Sequence, residues 1–240
     1  MYISSIWHKC GILHYMEIIK GKAGIRTMKK ELDYFMIDTA VGGNQEWFKN
    51  VVMYIGGCAA ATACDCCIYF ALRRGKAHLY PRDVHSLTKE DYIAFSQKMK
   101  PYIRPRVGGV KELSMFTEGF GRYLEDCGEA AIALKAFSGK HTVEEAAAFI
   151  RERIDAGYPV PYLMLKHKEN RYKDFVWHWF LCYGYEERAD GMDITVATYG
   201  EKYVLPLKEL WDTGYEEKGG LIGLEPNESG NTETVRENTA

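Results

Sequence analysis

Between Cys58 and Gly75 the chain reads CAAATACDCCIYFALRRG, apolar on nearly every side of a helical projection. A helix of that kind belongs inside a core, and Arg73-Arg74 followed by Gly75 gives it a stop. Thr88 to about Lys100 predicts a second helix, ended by Pro101. Residues 112–137 predict one or two short helices interrupted by Gly119, Gly121 and Gly128. Thr142-Val143-Glu144-Glu145 is a capping box, after which Val143, Ala146, Ala147, Ile150 and Ile154 keep helical spacing up to Gly157.

The pattern changes at Pro159. VPYLMLKH, FVWHWFLCYGY, DITVATYG and KYVLPL are short, β-branched and aromatic, and predict consecutive antiparallel strands with Gly200-Glu201 as a tight hairpin turn. Helices first and strands second predict an α+β fold, a helical N-terminal half packed on an antiparallel β-sheet. Residues 42–50 (GGNQEWFKN) read as an irregular loop with two aromatic anchors. Residues 1–30 read as an N-terminal extension, with Met28-Lys29-Lys30 a natural start inside it. Residues 31–224 form the domain, and 225–240, polar with a single aliphatic Val235, read as a disordered tail.

Composition narrows the partners. Of 240 residues, 47% are hydrophobic, enough for a real core, while 31 basic against 33 acidic residues give a net charge of -2. Such balance gives no pull toward nucleic acid or an anionic membrane. No apolar run reaches membrane-spanning length, and the first thirty residues lack the apolar core and small-residue site of a signal peptide. The seven cysteines are an odd count, which predicts reduced thiols in a cytoplasmic protein.

Two residues stand out chemically. Cys58 follows Gly56-Gly57 and begins the buried helix. There the free amides and the helix dipole favour a thiolate and can hold an oxyanion, although a small buried hydrophobe is the plainer role for a free cysteine. His178 lies in a strand almost without other ionisable groups, and by alternation shares a face with Val176, Phe180, Cys182 and Gly184. It needs a polar partner or a wet cleft there; a core histidine bonded to a carbonyl is the bland reading. Together they supply the thiol and the imidazole that nucleophilic catalysis requires.

The pieces GGCAAATACDCCIYFAL and HWFLCYGYEE, in that order, resemble the nucleophile helix and the base strand of the papain-like cysteine peptidase superfamily, specifically its peptidase C39-like group. VEEAAAFIRERIDAGYPVPYLMLKH and DGMDITVATYGEKYVLPLKELW resemble the elements on either side of that base strand, so the resemblance covers roughly residues 42–212. It implies a papain-like fold, Cys58 as nucleophile, His178 as general base, no metal or organic cofactor, and a peptide or small amide as substrate. The family's orienting Asp or Asn is replaced by Ala197-Thr198-Tyr199, which leaves Thr198 to orient His178. The upstream glutamine, about six residues before the cysteine, is replaced by Val52, which leaves Gln45, near Asn44 and Asn50, as the oxyanion donor. The competing readings are an inactive papain-like scaffold that binds a peptide or ligand, and an interaction module in which Cys58 and His178 are separate core residues.

The remaining candidates have plainer readings. Cys64, Cys66 and Cys67 point around the helix and read as packing thiols rather than a zinc site. His8, His14, His78, His85, His141 and His167 lack ligand spacing. Asp65 reads as a local cap or ion pair, with Arg73 or Lys49 as partner. Trp177 and Trp179, with Tyr183 and Tyr185, read as core packing on the face opposite His178. The cleft is expected to be lined from the loops at 42–50, 76–87 and 167–175.

Overall fold

The computed structural model describes residues 28–106 and 108–227. The N-terminal half supplies strand β1 (Lys29–Glu31), a hairpin of β2 (Met36–Ile37) and β3 (Ala40–Val41), and helices α1 (Val51–Gly56), α2 (Cys58–Arg73), α3 (Lys89–Met99) and α4 (Leu113–Asp126). Strand β4 (Ile132–Ser138) and helix α5 (Val143–Asp155) follow. Strands β5 (Val160–Met164), β6 (His178–Arg188), β7 (Gly191–Thr198) and β8 (Glu201–Pro206), the short helix α6 (Leu207–Trp211) and strand β9 (Gly219–Pro226) complete the fold. The α+β order expected from the pattern is the order observed.

The main sheet runs β4-β9-β5-β6-β7-β8, with every neighbouring pair antiparallel. β5 pairs with the first residues of β6 (178–182), and β1 continues that edge against residues 184–186. β6 is thereby flanked on both sides along most of its length, and its residues from His178 to Tyr185 are all buried. Tyr183 is an extra residue in the β6–β7 register and stacks on Tyr34, ring centroids 4.4 Å apart. The core lies where α2, buried from Cys58 to Ala71 except at Ala61, packs against β6.

Helix ends follow the local chemistry. Thr142 and Glu145 form the expected capping box reciprocally, at 3.2 and 2.8 Å. Thr88 caps α3 by accepting from the Asp91 amide.

Three expectations are corrected. Residues 132–138 form a strand, not a helix, because their partner is β9, from Ser138 paired with Gly220 to Ile132 paired with Pro226, and no local pattern announces it. Gly119 does not interrupt α4; it lets the helix approach the Tyr102 carbonyl oxygen, which a Cβ would meet at 2.6 Å. The β7–β8 turn is Tyr199-Gly200 rather than Gly200-Glu201, since Thr198 pairs with Glu201. Both turn residues have positive φ, 53° and 75°, as a type I′ hairpin requires.

The sheet extends slightly past the expected domain limits of 31 and 224. Lys29 and Lys30 pair with Glu186 and Tyr185, and Glu225, within β9, forms an ion pair with the buried Arg153. Residues 1–27 and the end from 228 lie outside the described residues, as do His8 and His14. No helix among the described residues is long and apolar enough to cross a membrane.

Candidate active site

The site forms where the start of α2 meets the start of β6 and the end of β7. α1 and α2 are separated by Gly57 alone, and that junction excludes a side chain. A Cβ on Gly57 would lie 2.3 Å from the Met53 carbonyl oxygen and 3.1 Å from the Phe48 ring. Gly56 is not crowded in this way; its nearest atom would be Pro105 Cβ, at 3.6 Å. Asn50 caps α1 by accepting from the Met53 amide at 3.2 Å. Cys58 therefore occupies the first turn of a sixteen-residue helix.

Burial pushes the Cys58 thiol up. The amides of Trp179, Ala59 and Cys58 itself act the other way, and burial outweighs them. The Trp179 amide directly follows His178, so the sulfur rests against the first residues of β6.

His178 is 4% exposed. Its Nε2 lies 2.7 Å from Thr198 Oγ1, at the end of β7. Its ring stacks flat on Tyr199, centroids 4.6 Å apart and planes 2° from parallel, and the Tyr199 hydroxyl is 3.4 Å from Nδ1. That hydroxyl also donates to the Asp174 carbonyl oxygen at 3.1 Å. Burial holds the imidazole at a pKa of about 3, so it is neutral at any working pH. The Tyr199 phenol is pushed up to about 12, by burial and then by the nearby Cys58. The resting site is a neutral thiol beside a neutral imidazole, not an ion pair.

Backbone strain concentrates here. Trp177 and Tyr199, with φ of 55° and 53°, are two of the three non-glycine residues with positive φ among the described residues. One precedes His178 and the other follows Thr198. Each conformation costs about 1–2 kcal/mol and is kept only where the surroundings impose it.

Gln45 sits in a 3₁₀ turn (Gln45–Trp47) capped by Asn44. The loop before it is stitched to the Tyr199-Gly200 turn. Asn44 Nδ2 donates to the Tyr199 carbonyl at 2.9 Å, the Gly200 amide to the Gly43 carbonyl at 3.1 Å, and the Val41 amide to the Gly200 carbonyl at 2.7 Å. Gln45 Nε2 donates to the Tyr54 carbonyl at 3.2 Å, and its Oε1 is buried with no hydrogen-bond partner among the described residues. Val52 is half-exposed on α1 and lines neither cavity of the site.

Asp65 corrects the sequence reading. Its partners are neither Arg73, which pairs with Asp33 at 3.0 Å, nor Lys49. The carboxylate is buried and accepts from Tyr34 Oη at 2.8 Å, from Tyr92 Oη at 2.9 Å and from the Gly43 amide, which is shared between both oxygens at 3.2 Å. Burial raises its pKa to about 6 against the pull of those donors. It therefore pins the loop that carries Gln45 to the buried helix. A signal for it existed: Asp65 is the one ionised group in CAAATACDCCIYFAL and lies seven residues past Cys58, on the same helix face.

Cys58, His178, Thr198 and Gln45 line one small inner cavity of about 20 Å³, together with Gly43, Thr62, Asp65 and Tyr199. A cleft of about 680 Å³ reaches Gln45, Cys58, His178 and Tyr199 from outside, past Ile55, Trp177, Arg106 and Lys111. All four site residues expected from the sequence are thus brought together, and Cys58 and His178 are not separate core residues. Of the loops expected to line the cleft, the first contributes Gln45, while 76–87 and 167–175 contribute nothing; 106–111 takes their place.

Trp177 is also corrected. It is 47% exposed at the cleft mouth rather than packed in the core, because its positive φ breaks the strand alternation just before β6 begins. Trp179 is core, stacked on Phe116 at 4.5 Å and donating to the Val110 carbonyl. Cys64, Cys66 and Cys67 are free and fully buried, and the described residues hold no cluster of His, Cys, Asp or Glu able to bind a metal.

Compared with protein-family models and with curated proteins, the chain gives no match.

Proposed function

We propose that the protein is a thiol-dependent hydrolase of papain-like design, acting on an amide or peptide bond. The observation that carries this reading is one cavity shared by Cys58 at a helix start and His178 at a strand start, with Thr198 on the imidazole Nε2 and a cleft open to the surface. The motifs around Cys58 and His178 supply the family resemblance.

Thr198 accepting from Nε2–H leaves the Nδ1 lone pair as the base. The neutral resting pair makes attack and proton transfer one event. The Cys58 sulfur bonds to the substrate carbonyl carbon as its proton passes to Nδ1. The carbonyl electrons move onto oxygen, where the Cys58 amide and the second N–H of Gln45 Nε2 stabilise them. Collapse expels the amine, which takes the proton from His178 and leaves a thioester on Cys58. Water, deprotonated by Nδ1, then attacks the thioester carbon; collapse breaks the C–S bond and releases the acid, and the proton returns from His178 to the Cys58 sulfur.

The second reading, an inactive scaffold that binds a peptide or ligand, is favoured by the Tyr199 hydroxyl at Nδ1 and by the raised thiol. Acylation by p-nitrophenyl acetate, followed by intact mass, separates the two. The hydrolase reading expects an acyl adduct on Cys58 that turns over, is absent in Cys58→Ser and forms much more slowly in His178→Gln. No adduct, or equal rates in wild type and His178→Gln, would give the site to the scaffold.

A further inference from the structure

The neutral Thr198 leaves a gap in the hydrogen-bond chain behind His178. If Thr198 Oγ1 accepts from Nε2–H, its own hydroxyl proton needs an acceptor, and its one bond among the described residues is the one to His178. Three further observations converge there. Gln45 Oε1 is buried without a partner. Asp65 is a buried carboxylate whose partners are two phenols and one amide, with no cation. Three donors fill its roughly four acceptor positions only because the Gly43 N–H is split between Oδ1 and Oδ2, each at 3.2 Å, so a fourth donor can take over one half of that split bond. Thr198, Gln45 and Asp65 all line the inner cavity, whose volume of about 20 Å³ matches a single water molecule.

We propose that Asp65 is the orienting carboxylate of this site, acting on His178 through one internal water and the Thr198 hydroxyl. The water accepts from Thr198 and donates to Asp65 and to Gln45 Oε1, the usual three bonds of a buried water. The anion sets the direction of the whole chain. Nε2–H points to Thr198, Thr198 O–H to the water and the water to Asp65, which leaves the lone pair on Nδ1, facing the cleft. The same water fixes the Gln45 amide with its oxygen inward, one N–H on the Tyr54 carbonyl and the second N–H left for a substrate oxyanion. Asp65 and Thr198 are positioning residues, since neither touches substrate. A neutral threonine does the work of a charged orienter because the charge stands one water further back.

The chain rests on the proposed reaction for its purpose but not for its test, which reads the tautomer of His178 directly. In protein labelled with ¹⁵N-histidine, the His178 ring nitrogens are assigned from the signals lost in His178→Gln. Wild type and Thr198→Ser are expected to hold the Nε2–H tautomer alone. Thr198→Val and Asp65→Asn are expected to shift it toward Nδ1–H or a mixture. An unchanged tautomer in Asp65→Asn overturns the proposal, as does an unchanged tautomer in Thr198→Val. Should Asp65→Asn fail to fold, the wild-type crystal structure decides. A water within hydrogen-bond distance of both Thr198 Oγ1 and Asp65 supports the chain, and a dry cavity overturns it.

Acylation kinetics give the second readout. Each single variant is expected to react about tenfold more slowly, the worth of one strong hydrogen bond, and the double variant no more slowly than either. Additive losses overturn a shared chain. Absent acylation with the Nε2–H tautomer responding as expected would count against the hydrolase and support the chain.

Discussion

The rings of His178 and Tyr199 lie 4.6 Å apart and 2° from parallel, with the tyrosine hydroxyl 3.4 Å from the nitrogen that would act as base. One phenol proton is shared between that nitrogen and the Asp174 carbonyl. Tyr199→Phe keeps the stack and removes the competitor for Nδ1. Alkylation of Cys58 by iodoacetamide at pH 7 is expected to rise about fivefold, the value of one hydrogen bond near 1 kcal/mol. An unchanged rate would mean that the phenol proton stays on Asp174.

The glycines before Cys58 are unequal. Gly57→Ala drives a Cβ into the Met53 carbonyl, backbone that cannot swing aside, and should cost about 2–3 kcal/mol. Gly56→Ala meets nothing closer than 3.6 Å and should stay within about 0.5 kcal/mol of wild type. Thermal melts of the two variants check the ranking; equal Tm values would contradict it.

Two buried groups oppose each other in the acid range. His178 is depressed from its ordinary 6.5 to about 3, so the unfolded chain binds the proton first. Its contribution is full above pH 6.5 and is lost as pH falls toward 3, at most about 5 kcal/mol. Asp65 is raised from 3.8 to about 6, so the folded chain binds the proton first, and stability from this group declines as pH rises from about 4 through 6, by at most about 3 kcal/mol. The histidine term is larger. His178→Leu should therefore flatten or reverse the loss of stability between pH 6.5 and 4, measured by urea midpoints, while a slope as steep as wild type would contradict the assignment.

Arg106 and Lys111 are the charged side chains lining the outer cleft, and neither forms an ion pair among the described residues. Both attract an anion toward Cys58, although at an exposed position the effect is modest and screened by salt. The ratio of iodoacetate to iodoacetamide alkylation of Cys58 should fall about two- to fivefold in Arg106→Ala/Lys111→Ala, and the difference should shrink in 0.5 M salt. A ratio unmoved by the double substitution would show that these cations do not reach the thiol.

Much of the site was legible before folding, for local reasons. A double glycine ahead of an all-apolar helix marks Cys58, and a lone imidazole in an aromatic strand marks His178. Thr198 sits at its expected strand end because β7 and β6 are neighbours joined by a short turn, and short connections keep register. Gln45 lines the site because the Gly43, Asn44 and Val41 bonds to the Tyr199-Gly200 turn fold its loop back, a contact across more than 150 residues with no local signature.

By itself, then, the sequence determined a helix-rich first half and a strand-rich second half, the buried character of α2, and the thiol and imidazole that are the candidates for chemistry. These follow from periodicity, capping and the chemistry of single residues. Only the tertiary structure decided that β4 is a strand, that Trp177 stands in the cleft mouth, that Tyr199 covers the imidazole and that Asp65 faces the inner cavity. Each depends on a partner distant in the chain or on a positive φ held against local preference. Burial sets the protonation of the site, and burial belongs to the packed molecule rather than to any stretch of its sequence.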